Sequence, residues 1–70
     1  MYHTVSIADT IDPNDWMEIA KFRWHADAYE YAKEISRSDR WGKGVKVRSE
    51  SFGTDTHFEK GKEIRQEKIA

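Results

Sequence analysis

Residues 25–38 read His-Ala-Asp-Ala-Tyr-Glu-Tyr-Ala-Lys-Glu-Ile-Ser-Arg-Ser, and the placement of Ala28, Tyr31, Ala32 and Ile35 at i, i+3, i+4 and i+7 gives a helix with one apolar stripe. On both sides the period changes to two. Ala20-Lys21-Phe22-Arg23-Trp24 precedes the stripe and Val45-Lys46-Val47-Arg48 follows it, so the middle of the chain reads strand, helix, strand. The helix is expected to start at His25 or Ala26, with Asp27 near the positive end of its macrodipole, and to run to Arg37 or Asp39. Its far face, Glu30, Lys33, Glu34 and Arg37, is solvated, and the i, i+3 ion pairs there contribute at most ~0.5 kcal/mol each. Gly42 and Gly44 mark its exit.

Outward from this unit, Tyr2 to Ala8 alternates as a strand, with Val5 and Ile7 on one face and Thr4 and Ser6 on the other. Asp9 to Asp15 carries turn chemistry. Trp16 to Trp24 admits two readings. Asp12 could cap a helix with Pro13 at its first position, placing Trp16, Ile19, Ala20 and Arg23 on one face. The preferred reading is a strand, because Phe22 and Trp24 alternate with Lys21 and Arg23, and the adjacent Ile19-Ala20 then implies a bulge or an early edge. A third strand runs from Val45 to Ser51. A hairpin between the first two strands, and a helical crossover from the second to the third, give the sheet order 2-1-3.

The expected fold is α+β: one helix packed on a three- or four-stranded, mainly antiparallel sheet in the order β-β-α-β. Residues 1–53 form the domain. Residues 54–70 follow as a charged tail, mobile or adding a strand or helix, because Glu59 to Lys68 alternates charge with only Ile64 apolar. A chain of 70 residues buries only about 60% of the surface it exposes unfolded, so every large apolar side chain counts. With 37% hydrophobic residues there is enough material to cover one sheet face, and the other face must stay wet.

The chain has no cysteine, which excludes a disulfide framework and a thiolate metal site. His3, His25 and His57 stand far apart, outside any metal-binding motif, so neither a metal nor another cofactor is expected. No serine or threonine sits in a recognisable nucleophile motif, and Asp12 and Asp15 suit a turn better than acid–base work, so the protein is read as a non-enzyme. Gly42-Lys43-Gly44 lacks the spacing of a phosphate-binding loop. No apolar run approaches the ~18 residues of a membrane span, and Met1-Tyr2-His3-Thr4 lacks the features of a secretion signal, so a cytoplasmic protein without a membrane partner is expected.

Charge is the informative feature. Twelve basic side chains nearly balance thirteen acidic ones, yet Arg40, Lys43, Lys46 and Arg48 fall within nine residues that hold no acid, and Trp41 interleaves them. If Val5, Ile7, Phe22, Val45 and Val47 face the helix, then Lys21, Arg23, Lys46 and Arg48 share the open face with Thr4 and Ser6. The candidate binding residues are therefore Lys21, Arg23, Arg40, Trp41, Lys43, Lys46 and Arg48. Aromatic rings in excess of what so small a core can enclose, close to arginine, point to a protein partner. A basic stripe on the sheet keeps nucleic acid as the alternative. The oligomeric state is open, a homodimer included.

The order of strand, hairpin, Phe22-x-Trp24, the helix with Ala28-x-x-Tyr31-Ala32-x-x-Ile35, and Val45-x-Val47-x-Ser49 resembles that of small accessory proteins encoded by phages and other mobile elements, among them type I anti-CRISPR proteins. The resemblance spans residues 2–51. It implies a protein that acts by occupying a surface of a host complex, without catalytic residues. The net charge of −1 departs from the strongly acidic members that mimic DNA.

Overall fold

A computed structural model describes residues 2–8, 15–37 and 44–69. The element order is β1 (His3–Ala8), β2 (Trp16–Phe22), α1 (His25–Ser36), β3 (Val45–Ser49), β4 (Thr54–Glu59) and β5 (Lys62–Lys68). All neighbouring strands pair antiparallel, in the order β2-β1-β3-β4-β5. The α+β class and the 2-1-3 core of the sheet agree with expectation. The strand count does not: among the described residues there are five strands in the order β-β-α-β-β-β, because residues 54–68 form a complete hairpin.

That hairpin closes through Lys60 and Gly61, both at positive φ (52° and 80°), as a two-residue turn matched to the sheet's twist requires. Its tip docks on the end of the helix. The Gly61 N–H donates to Ser36 Oγ at 2.9 Å, and the same hydroxyl donates to the Lys33 carbonyl at 2.9 Å. A Cβ on residue 61 would lie 2.7 Å from Arg37 Cγ, so close packing as well as φ calls for glycine there.

Between α1 and the sheet lies the core of Val5, Ile7, Ala28, Ala32, Val45, Val47 and Phe58, with Ile19, Ala20, Phe22, Tyr29 and Ile35 packed against it. Phe58 is fully buried, so the charged C-terminal region supplies the largest enclosed side chain of the domain. Alanines at 28 and 32 let the helix approach the sheet closely. The buried helix face runs through Ala28, Ala32 and Ser36, with Tyr29 half-buried. Tyr29 was not expected in the core; its hydroxyl meets Thr56 Oγ1 at 2.8 Å, a partner on β4 that the sequence reading did not place. Tyr31, expected in the stripe, is 36% exposed and lies at the margin against Phe22, their ring centroids 5.2 Å apart. Trp24 is 66% exposed beside the helix start and contributes nothing to the core.

β2 is a strand, as preferred, and carries the bulge. Its register with β1 runs Phe22, Lys21, Ala20 opposite His3, Thr4, Val5, then skips Ile19 so that Glu18 faces Ser6. Both Ile19 and Ala20 consequently turn toward the core. No helix among the described residues is long and apolar enough to cross a membrane.

Candidate functional site

The sheet face away from α1 is built from two rows of side chains that cross all five strands. Cross-strand registers align Glu18, Ser6, Lys46, His57 and Arg65 in one row, and Lys21, Thr4, Arg48, Asp55 and Glu67 in the next. Four lysines and arginines, three acids and His57 therefore share one surface, with the neutral hydroxyls of Ser6 and Thr4 on β1. Trp16, paired with Ala8, stands at the end of this surface. A shallow groove of about 310 Å³ runs between Trp16, Glu18, Thr4, Ser6, Lys46 and Arg48.

Each base is matched locally. Arg48 donates from Nε and Nη2 to the two carboxylate oxygens of Asp55, both at 2.9 Å, the two-point geometry that makes such pairs directional. The hydrogen bond from Arg48 holds the Asp55 carboxyl below the usual carboxylate range, and the same bond raises Arg48. Lys21 lies 3.4 Å from Glu18. Lys46 Nζ sits 4.4 Å from the centre of the Trp16 ring, a cation–π contact, and burial there lowers its pKa. Trp16 in turn meets the edge of His57, with centroids 5.8 Å apart. His57 Nε2 is 3.5 Å from Glu67, and Arg65 Nε donates to the same Glu67 oxygen at 2.7 Å. Burial, with Arg65 adding to it, lowers the His57 pKa and favours the neutral ring.

Three of the expected binding residues, Lys21, Lys46 and Arg48, meet on this face. Arg23 does not: β2 ends at Phe22, and Arg23 occupies the bend that leads into α1, outside both rows. Arg40, Trp41 and Lys43 lie outside the described residues. Trp16, Asp55, His57 and Glu67 were not among the candidates. Trp16 had a signal, since it precedes an alternating segment, but its proximity to Lys46 depends on the register across β1. The acids of β4 and β5 become neighbours of Arg48 and His57 only once the last hairpin forms.

A second polar cluster sits at the opposite end of the core. His3 Nδ1 and Ser49 Oγ are 2.7 Å apart, and the His3 ring packs against His25 and Phe52, at 6.0 and 5.3 Å. Burial is the main cause that lowers the His3 pKa, with His25 adding to it. A histidine–hydroxyl pair can activate a nucleophile, but Ser49 is fully buried and a substrate has no approach to its oxygen. The pair fastens β1 to β3. Among the described residues, no three His, Cys, Asp or Glu side chains gather closely enough to hold a metal ion. Compared with known proteins, the chain matches no family model, no curated protein and no solved structure.

Proposed function

We infer that this domain is a non-catalytic binding module that recognises a protein through the open sheet face around Trp16, Lys46 and Arg48. The observation that carries this reading is the internal compensation of the basic stripe: Arg48 is held by Asp55, Lys21 lies beside Glu18, and Lys46 rests on Trp16. A phosphate backbone is bound by cations free to displace its counterions. A mosaic of both signs around an aromatic ring suits the complementary charges and the aromatic anchor of a protein interface. The resemblance to mobile-element accessory proteins supports the more specific reading of an inhibitor or accessory factor that covers a surface of a host complex.

Direct nucleic-acid binding is the second reading, favoured by the four bases on the two rows. Two measurements separate them. Titration of the intact chain with labelled DNA and RNA at low and at physiological salt is expected to show no binding that survives physiological salt. Affinity capture from the native cell, with nuclease treatment of the captured complex, is expected to retain a protein partner that Trp16→Ala releases. Micromolar nucleic-acid binding at physiological salt, or a capture that nuclease abolishes, overturns the protein reading.

A further inference from the structure

The two rows of the open face carry four lysines and arginines against three carboxylates, so pairing within the face leaves one cation without an acid. Arg48 is bound to Asp55 through two hydrogen bonds, Lys21 lies beside Glu18, and Arg65 donates to Glu67, the carboxylate that His57 also faces. Lys46 is the remainder. Among the described residues no carboxylate forms an ion pair with its ammonium, and its contact is the face of the Trp16 ring at 4.4 Å. Burial lowers its pKa, against the pull of Asp55 and Glu67, neither of which pairs with it. The ammonium has given up water for a ring, a weaker partner than a carboxylate.

The groove beside Lys46 has room for that missing group. β1 runs between β2 and β3, and on the open face it presents the short side chains of Thr4 and Ser6. Arg48 and Lys46 stand opposite them on one side, Lys21 and Glu18 on the other. The longer side chains wall a trough one strand wide, about 310 Å³ in volume, with Trp16 at its end. The two hydroxyls on the floor can donate to an anion. The trough also limits how much negative charge it accepts: Glu18 and Glu50 line it, and a phosphodiester chain or a run of acids would be repelled by them. One carboxylate balances the one uncompensated cation.

Given the reading of the open face as a protein-binding surface, on which this step rests, we propose that the partner places a single Asp or Glu side chain in the groove between Trp16 and Arg48. There its carboxylate pairs with Lys46, and an apolar neighbour of that residue covers the Trp16 ring. The charge makes the contact selective, and the ring supplies the buried area around it.

The probe is a phage-displayed library of random linear peptides, selected at physiological salt on the immobilised full chain and, in parallel, on Lys46→Glu and Trp16→Ala. Peptides from the full chain should share one Asp or Glu next to an apolar residue, and Trp16→Ala should retain none of them. Peptides selected on Lys46→Glu should carry Lys or Arg at that position. A synthetic peptide of the shared sequence should bind Lys46→Met about tenfold more weakly than the full chain, and exchange of its acid for the amide should weaken binding to the unaltered chain by as much. On Lys46→Met that exchange should have no further effect. The acid-to-amide exchange lies in the peptide, so its result does not depend on how a variant folds; circular dichroism establishes that the three variants are folded. A shared sequence that needs Trp16 but has no acid, or that keeps its acid on Lys46→Glu, overturns the carboxylate contact and leaves the protein-binding surface standing. No enriched peptide, or peptides that bind Trp16→Ala as well as the full chain, overturn both.

Discussion

The two edges of the sheet are built on opposite terms. β2 is mostly apolar, and its side chains on one face pack on the core through Ile19, Ala20 and Phe22. β5 is exposed along its whole length and carries five charged residues, yet it pairs with all six residues of β4. Both strands contain a bulge. The difference teaches that a strand can be held by its backbone and by the turn that delivers it, with almost no apolar contribution of its own. What β5 supplies is a hydrogen-bonded cover for β4 and the amide of Gln66, which donates to Thr56 Oγ1 at 3.0 Å beside the Tyr29 hydroxyl.

The comparison breaks most visibly if β5 is removed. Ending the chain at Lys60 exposes the outer backbone of β4, leaves Thr56 without Gln66 and detaches the Gly61 tip from Ser36. At about 0.5–1.5 kcal/mol net per hydrogen bond, the loss should reach about 3 kcal/mol, or on the order of 15 °C in Tm for a domain of this size. Composition alone leads to the opposite expectation, that such a charged segment is dispensable. A thermal melt within a few degrees of the full chain would show that β5 adds nothing to β4.

Next in size is the hairpin tip. Gly61→Ala must place a Cβ at positive φ and against Arg37, which should cost about 1–2 kcal/mol in urea unfolding. Ser36→Ala, which removes the hydroxyl that links the tip to the helix, should cost a similar amount. If both variants unfold at the parental midpoint, the tip is not anchored to the helix.

Acid acts next on the histidines, of which His57 reports on the β5 side of the sheet. Burial lowers the pKa of both His57 and His3 from the ordinary 6.5, so the unfolded chain binds protons more readily than the folded one. Their stabilisation is complete above pH 6.5 and is lost as pH falls below it through the folded values. Asp55, lowered from 3.8 chiefly by its bond to Arg48, keeps its contribution until the pH is lower still. Stability should therefore fall in two separate stages on acidification. His57→Gln should flatten the first stage, measured as the difference in urea midpoint between about pH 7.5 and about pH 5.5. An unchanged slope in that variant would place the pH response elsewhere.

How much of this was legible in the sequence follows from the same contrast. The helix boundaries, the strand that precedes it and the irregularity at Ile19 were readable because side-chain periodicity records burial, and β1, β2, α1 and β3 are patterned by burial. β5 is patterned by solvent on both faces, so period two in hydropathy is absent. Its one signal is Lys60-Gly61 between Thr54–Glu59 and the charged run, a two-residue turn flanked by a β-branched and aromatic segment. Without that turn, residues 54–70 read as a charged tail, mobile or adding a strand or helix, and the buried Phe58 lies inside that stretch. The candidate site was half legible for a related reason. Lys21, Lys46 and Arg48 were placed on one face by alternation within their own strands. Asp55 and Glu67 reach them through pairing between strands, which alternation does not specify, and so a mixed-charge surface read as a basic one.

The smallest effects sharpen the comparison at the level of single ion pairs. Arg48 and Asp55 meet in the middle of the sheet with two hydrogen bonds and with the carboxylate side chain 15% exposed, whereas Glu18 and Lys21 meet once, at 3.4 Å, with both side chains more than half exposed. Solvent screens the second pair, and nothing fixes its rotamers. Because Arg48 is itself 46% exposed, its pair must also be discounted from a buried value. A double-mutant cycle through Arg48→Met and Asp55→Asn should give a coupling of about 0.5–1 kcal/mol, and one through Glu18→Gln and Lys21→Met should lie within about 0.3 kcal/mol of zero. Salt separates them further: raising the ionic strength to molar sodium chloride should erase what remains of the Glu18–Lys21 term and leave most of the Arg48–Asp55 term, since two short directional bonds do not depend on long-range attraction. Equal couplings would mean that position in the sheet, edge or interior, makes no difference to how charge is held on this face.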